Sequence, residues 1–293
     1  MRNQISMIDF NCDWYLRDCN LTPRSTPGTM SREDVIAFLG TLDVDAIEVM
    51  YDYWKDVPAA AVRALAAEAG LPIGCCIFMH DLVLPATERA AAIEQAKPIL
   101  DRTAELGAPL AMIVPGLVKP DYALDDQRDW MIDGLAACAE LAKSRDLTLL
   151  AENIDMPGAR ELMGKGADCR AICEAVGSTA FRLIYDTGCT EIMDEDPIDA
   201  LRQMAPCIAH VHVKNFRRLQ PDESAQRSLI SERAIHCAGC DLDAGEVELG
   251  RILKELALSG YDGMIAIEYQ GEDDPHDALP HNVQVLRNLL EPM

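Results

Sequence analysis

Eight short runs of apolar and β-branched residues recur along the chain, each followed by a longer stretch carrying helix signals. The runs are ISMIDF (5–10), AIEVMY (46–51), PIGCCIF (72–78), PLAMIVP (109–115), LTLLAE (147–152), FRLIYD (181–186), IAHVHV (208–213) and GMIAIE (263–268). Runs this short and this continuously apolar read as strands covered on both faces, the habit of parallel sheets. In the intervals, Ser31 with Asp34 three residues later reads as a capping box. Pro58, Thr87 and Asp125 each open an Ala- and Leu-rich helical stretch. Pro98 lies inside one of these helices and is expected to kink it. Strand and helix in strict alternation predict an α/β chain, a single (β/α)8 barrel domain over 1–293. One long connection, at about 214–245, stands out as functional or disordered. A doubly wound open sheet is the alternative, weakened because IDFNCDWYL after the first run has no G-x-G-x-x-G turn.

The 293 residues, 49% of them hydrophobic, are enough for the core of such a barrel. The formal charge of −23, from 26 basic and 49 acidic side chains, argues against nucleic acid or an anionic membrane as partner. No apolar run is long enough to span a bilayer, and MRNQISMIDF lacks the apolar centre of a secretory signal, so a cytoplasmic protein is expected. Most of the eleven cysteines sit in apolar runs, as Cys75 and Cys76 do, and read as buried thiols in a reducing compartment. Cys237 and Cys240, preceded by His236, have zinc-ligand spacing but no second pair nearby, and read as two loop thiols. The sequence leaves monomer and homo-oligomer equally open.

Active sites of parallel barrels form at the C-terminal ends of the strands. Runs five to eight end in Glu152, Asp186, His212 and Glu268. Any one of these acids alone is an ordinary helix N-cap, and His212 alone an ordinary hydrogen-bonded histidine. Together, on four consecutive strands, they converge on one side of the barrel mouth, where three carboxylates repel one another unless a cation lies between them. Three carboxylates and one imidazole suit one divalent metal ion, Mn²⁺ or Mg²⁺, with Co²⁺ or Zn²⁺ as alternatives. His210, on the same strand face as His212, reads as a supporting or packing residue. Lys214, Arg217 and Arg218 follow run seven and are candidates for gripping substrate oxygens, or else a solvated loop. His80, Asp81 and Trp14 follow runs three and one. His80 is a candidate substrate contact, and Trp14 a platform for a sugar's apolar face or a packing residue.

The segments LLAEN, LIYDTG, HVHVKN and YDGMIAIEY resemble the metal-site signatures of the xylose-isomerase-like TIM barrel superfamily. The nearest branch holds the sugar phosphate isomerases and epimerases, with ketose 3-epimerases, hydroxypyruvate isomerases and inosose dehydratases. The resemblance covers nearly the whole chain and is most specific from Leu147 to Tyr269. It implies a metal held by Glu152, Asp186, His212 and Glu268, with Glu152 and Glu268 doubling as the proton-transfer pair. Cys189 stands where ketose 3-epimerases usually carry a substrate-touching histidine, and Asn215 where many relatives have an acid. The implied activity is metal-dependent isomerisation or epimerisation of a ketose or related carbonyl sugar through an enediolate. The alternative on the same site is a lyase, by inosose-type dehydration or β-elimination from a 3-keto-glycoside. Either way the partner is a small carbohydrate. An apurinic-site endonuclease, also of this superfamily, would need more than the six histidines present and a basic groove.

Overall fold

The computed structural model describes residues 4–17, 28–225 and 227–291. Its strands are β1 (Ile5–Ile8), β2 (Ala46–Met50), β3 (Ile73–Met79), β4 (Leu110–Val114), β5 (Thr148–Glu152), β6 (Phe181–Asp186) and β7 (Ile208–Val213). These are followed by β8 (Asn215–Arg218), β9 (Ser228–Ile230), β10 (His236–Cys240) and β11 (Ile265–Ile267). Strands β1 to β7 and β11 form a closed barrel in which β11 pairs with β7 on one side and with β1 on the other. Every pairing in it is parallel. Helices such as Ala59–Glu68, Ala86–Leu106, Leu124–Lys143 and Pro275–Leu290 cover it. With side chains inside the barrel and helices outside, β1, β2 and β11 are buried along their whole length, which is why the runs show no polar alternation.

Local chemistry sets the helix ends. Ser31 and Asp34 form the expected capping box on Arg32–Leu39. Helices open at Ala59, Ala86 and Leu124, each within a residue of its sequence signal, and Pro98 lies within the Ala86–Leu106 helix. Gly107 and Gly177 end two helices in the left-handed conformation, at φ 77° and 63°, where a side chain would be strained.

Several strand ends shift by a residue or two from expectation, and two of these shifts bear on the mouth. β1 stops at Ile8, because Asp9–Tyr15 coils into a 3-10 helix. Asp9 fixes that turn by accepting hydrogen bonds from the Met50 N–H at 2.9 Å and from Trp54 Nε1 at 2.8 Å. β11 covers only Ile265–Ile267, so Glu268 stands one residue past it.

The long connection after β7 is folded. β8, β10 and β9 form an antiparallel sheet in that order, and Cys237 and Cys240 lie on its central strand with their thiols free. Asn215 closes its base: Oδ1 accepts from the Val247 N–H at 2.9 Å, and Nδ2 donates to the Leu242 carbonyl at 2.8 Å. The insertion is tied down on both sides of the mouth. Arg160 Nη1 donates to the Ile230 carbonyl at 2.7 Å. Arg227 reaches the first-strand side, 3.0 Å from Asp13 Oδ2, with its guanidinium over the rings of Phe10 and Trp14.

Candidate metal centre

Glu152, Asp186, His212 and Glu268 meet at the C-terminal mouth, each offering one ligand atom within 4.8 Å of the others. His212 Nδ1 is 3.3 Å from Glu152 Oε2 and 3.2 Å from Glu268 Oε2. Asparagines lock the strand ends that carry two of these acids. Asn153 Nδ2 donates to the Asp186 carbonyl while its Oδ1 accepts from the Asp186 N–H, both at 2.8 Å. Asn11 does the same across the seam, donating to the Ile267 carbonyl and accepting from the Tyr269 N–H, again at 2.8 Å. Asp186 is both the N-cap of Thr187–Ile192, through an Oδ1 that accepts from the Cys189 N–H, and a contributor to the cluster through Oδ2.

The donor set fits a divalent ion. Among the described residues Glu152 Oε2 and His212 Nδ1 are buried without a hydrogen bond of good geometry, and Asp186 Oδ2 has an ion pair with Lys214 but no hydrogen bond, an arrangement that is costly unless something further binds these atoms. Lys214 supplies the only positive charge in contact with the cluster besides His212, among the described residues. Its nearly inaccessible ammonium lies 2.9 Å from Asp155 Oδ2, 3.1 Å from Asp186 Oδ2 and 3.1 Å from Glu268 Oε1.

Protonation follows from these contacts. Burial pushes the Asp186 and Glu152 carboxyls above the ordinary carboxylate range, with Lys214 and His212 respectively pulling against it. Glu268 is equally buried, yet Lys214 and then His212 hold its carboxyl well below that range. Lys214 and His212 are driven well above their ordinary values, against burial, by the carboxylates around them. Three buried carboxylates balanced against one lysine and one imidazole are a set that a divalent cation could also neutralise.

Beneath the cluster lies a residue that strand-end reasoning missed. Glu48, in the middle of β2 and inaccessible, accepts from Ser6 Oγ at 2.6 Å and binds His210 Nε2 at 2.7 Å through Oε1. Its Oε2 faces His212 Nε2 at 3.4 Å. Burial works against the charge, but the His210 and His212 imidazoles hold the carboxyl well below the carboxylate range. The contact orients His212 so that Nδ1 faces the cluster. His210, expected to support or pack, stands edge-on to His212 with ring centroids 5.2 Å apart. The signal available in the sequence was a glutamate inside AIEVM, a place where an unpaired charge does not persist.

The site opens into a cavity of about 350 Å³ lined by Glu152, Asp155, His212, Lys214, Glu268 and Gln270, with apolar side chains opposite. Of the other expected substrate contacts, five do not line it. His80 Nε2 is bound to the Ala92 carbonyl of the following helix, 2.7 Å away. Arg217 points into the insertion and pairs with Glu223 at 2.5 Å, and Arg218 pairs with Glu191. Trp14 lies under the Arg227 guanidinium. Cys189 is buried in the helix that Asp186 caps, its Sγ against the Gly164 carbonyl. Asp155 and Gln270, which no sequence signal singled out, do line it, and Gln270 Nε2 donates to Glu268 Oε1 at 2.6 Å.

Comparison with known proteins agrees with this architecture. An inosose dehydratase of Clostridium tetani is 26% identical over 167 residues, covering 55% of this chain and 52% of that protein. One from Bacillus thuringiensis is 26% identical over 170 residues, covering 58% and 55%. The chain thus spans about half the length of the curated relatives it matches. Among solved structures, an L-ribulose 3-epimerase superposes with a TM-score of 0.77 at 19% identity, covering 99% of this chain and 95% of that one. The 3-keto-D-glucoside 4-epimerase of E. coli superposes at 0.69 and 16% identity, covering 98% of each. At such identities the superpositions speak to the fold alone. Residues 36–289 match the xylose isomerase-like TIM barrel, and the chain belongs to that family.

Proposed function

We propose that this protein is a divalent-metal-dependent isomerase or epimerase of a ketose or related carbonyl sugar, working through an enediolate. The observation that carries the reading is the convergence of Glu152, Asp186, His212 and Glu268 on one cavity, with buried donor atoms left unsatisfied. These four would hold the ion, Mn²⁺ or Mg²⁺ by their hardness. Bound there, it would supply Lewis-acid polarisation of the substrate carbonyl. Glu152 and Glu268 both reach His212 Nδ1 and both line the cavity, which supports their flanking the reacting carbon. One takes the proton from the carbon next to the carbonyl, and the electron pair moves onto the carbonyl oxygen. The other returns a proton, to the opposite face in epimerisation or to the neighbouring carbon in isomerisation. Asp186 and His212 stay as ligands, while Lys214 holds the charge of Glu268 and can donate to a substrate oxygen.

A second reading, elimination, is favoured by Lys214 itself, an ammonium lining the cavity beside Glu268, where it could protonate a departing oxygen. The inosose dehydratase relatives point the same way.

The test is to load metal-depleted protein with Mn²⁺ and screen ketoses and 3-keto-glycosides in D₂O. The reading expects one ion per chain and deuterium at the carbon next to the carbonyl. It also expects Glu152→Gln and Glu268→Gln to lose roughly 10²–10⁴-fold in rate with metal still bound. Near-normal rates in both variants would end the enediolate reading. An α,β-unsaturated product in place of an isomer would select the lyase.

A further inference from the structure

The cavity is divided by strand, with Ile154 and Met156 just past β5 the apolar members of its polar side. Its polar groups come from β5, β7, the residues following them, and the chain just past β11: Glu152, Asp155, His212, Lys214, Glu268 and Gln270. The β1–β4 half presents Phe10, Met50, Ile77, Met79 and Met112, and Leu229 of the insertion closes over it. None of these six side chains carries a hydrogen-bonding nitrogen or oxygen. Met79 is 52% exposed at the end of β3, although it lies in the wall of a cavity rather than on an ordinary surface. Trp14, the ring that could have taken a sugar face, is covered by Arg227.

A free ketohexose held at the metal centre by its carbonyl and adjacent hydroxyl would turn its remaining hydroxyls toward this wall. Those beyond the reach of Asp155, Lys214 and Gln270 would lose water there and gain no side-chain partner, a net loss for each. An apolar group in the same place gains from burial, and methionine thioethers pack well and adaptably against aromatic rings. We infer that the substrate is amphiphilic: an α-hydroxycarbonyl head that chelates at Glu152, Asp186, His212 and Glu268, and an aromatic group that lies against the methionine wall of β2–β4. This rests on the chelation chemistry proposed above and adds the far end of the substrate to it.

The experiment uses two chelators with the same head, glycolohydroxamate and benzohydroxamate, titrated calorimetrically into the Mn²⁺-loaded protein, with Mn²⁺ uptake measured separately. Benzohydroxamate is expected to bind tighter by on the order of tenfold or more. In Met50→Gln, Met112→Gln and Met79→Gln the ratio of the two affinities should fall toward unity. Met79 is half exposed, so its variant tests the wall even if a buried substitution fails to fold. Equal affinity of the wild-type protein for the two ligands, or a ratio unchanged in Met79→Gln and in the folded buried variants, overturns the inference and leaves the metal site standing. Failure to take up Mn²⁺ at all overturns the chelation reading, and this inference with it.

Discussion

Replacing Glu48 by glutamine removes one charge and leaves the volume of the side chain unchanged, and its consequences follow from three contacts. Oε1 serves Ser6 and His210, and Oε2 faces His212 Nε2. Glutamine offers one acceptor and one NH₂, so if its oxygen stays on Ser6 and His210 its NH₂ meets the Nε2–H of His212. With the amide nitrogen toward His212, the imidazole loses the acceptor that would hold its proton on Nε2 when Nδ1 gives up its own to bind an ion. Loss of a partner behind a metal-binding histidine costs about 10–100-fold in metal affinity, which is about 1.4–2.7 kcal/mol. The mispaired buried amide separately takes about 1–3 kcal/mol from the folded protein, at roughly 2–4 °C of melting temperature per kcal/mol. Calorimetric titration of metal-depleted protein with Mn²⁺ reads the first effect, and melting in the presence of a chelator reads the second. A lowered melting temperature with unchanged Mn²⁺ affinity would show that Glu48 merely fills and pairs, and would refute the orienting role.

Lys214→Met leaves buried carboxylates without their shared cation, and the metal-free variant should lose about 3–5 kcal/mol in denaturant unfolding. Added Mn²⁺ should recover part of that loss, and a metal-free variant as stable as wild type would contradict the charge balance. Asp9 provides a pH test: burial, over the opposing pull of its Trp54 and Met50 hydrogen bonds, pushes its carboxyl up to about 7 from the ordinary 3.8. Its folded value is the higher one, so its stabilising contribution is full below the unfolded value and is lost as pH rises through about 7. Asp9→Asn should flatten the unfolding free energy between about pH 4 and about pH 7, and an unaltered slope would rule Asp9 out as its source. The acidic surplus predicts no gel shift with duplex DNA carrying an abasic site at physiological salt, and tight binding would revive the nuclease reading.

The barrel was legible because its strands are short, apolar and regularly spaced, and β6 and β7 fall on the residues expected. The four cluster residues were legible because each stands at or next to the end of such a run. Glu48 was not, since a strand covered on both faces gives no alternation from which to pick the face turned toward His212. The strands NFRR, SLI and HCAGC were missed for a different reason: they are short, partly polar, and exist only through pairing with one another. Nearness to a strand end also misled. His80 and Cys189 follow β3 and β6 directly, but the first is claimed by the Ala92 carbonyl. The second is turned away by the helix that Asp186 caps. Position along the chain locates a residue at the mouth, while its hydrogen bonds decide whether it looks inward.

The closure of the insertion at its base has a practical meaning. Asn215 bonds to both Leu242 and Val247, so the chain leaves the barrel and rejoins it at almost the same point. Among the described residues of the segment between, only Leu229 reaches the cavity, and the cluster residues all lie outside it. The segment from Phe216 to Asp241 is therefore a graft site, provided that a replacement keeps partners for Arg160 and for the buried Asp13. A replacement hairpin or loop of another length, spliced between the same two anchors, would change what the mouth admits while leaving the barrel's closure and its cluster of acids where they are.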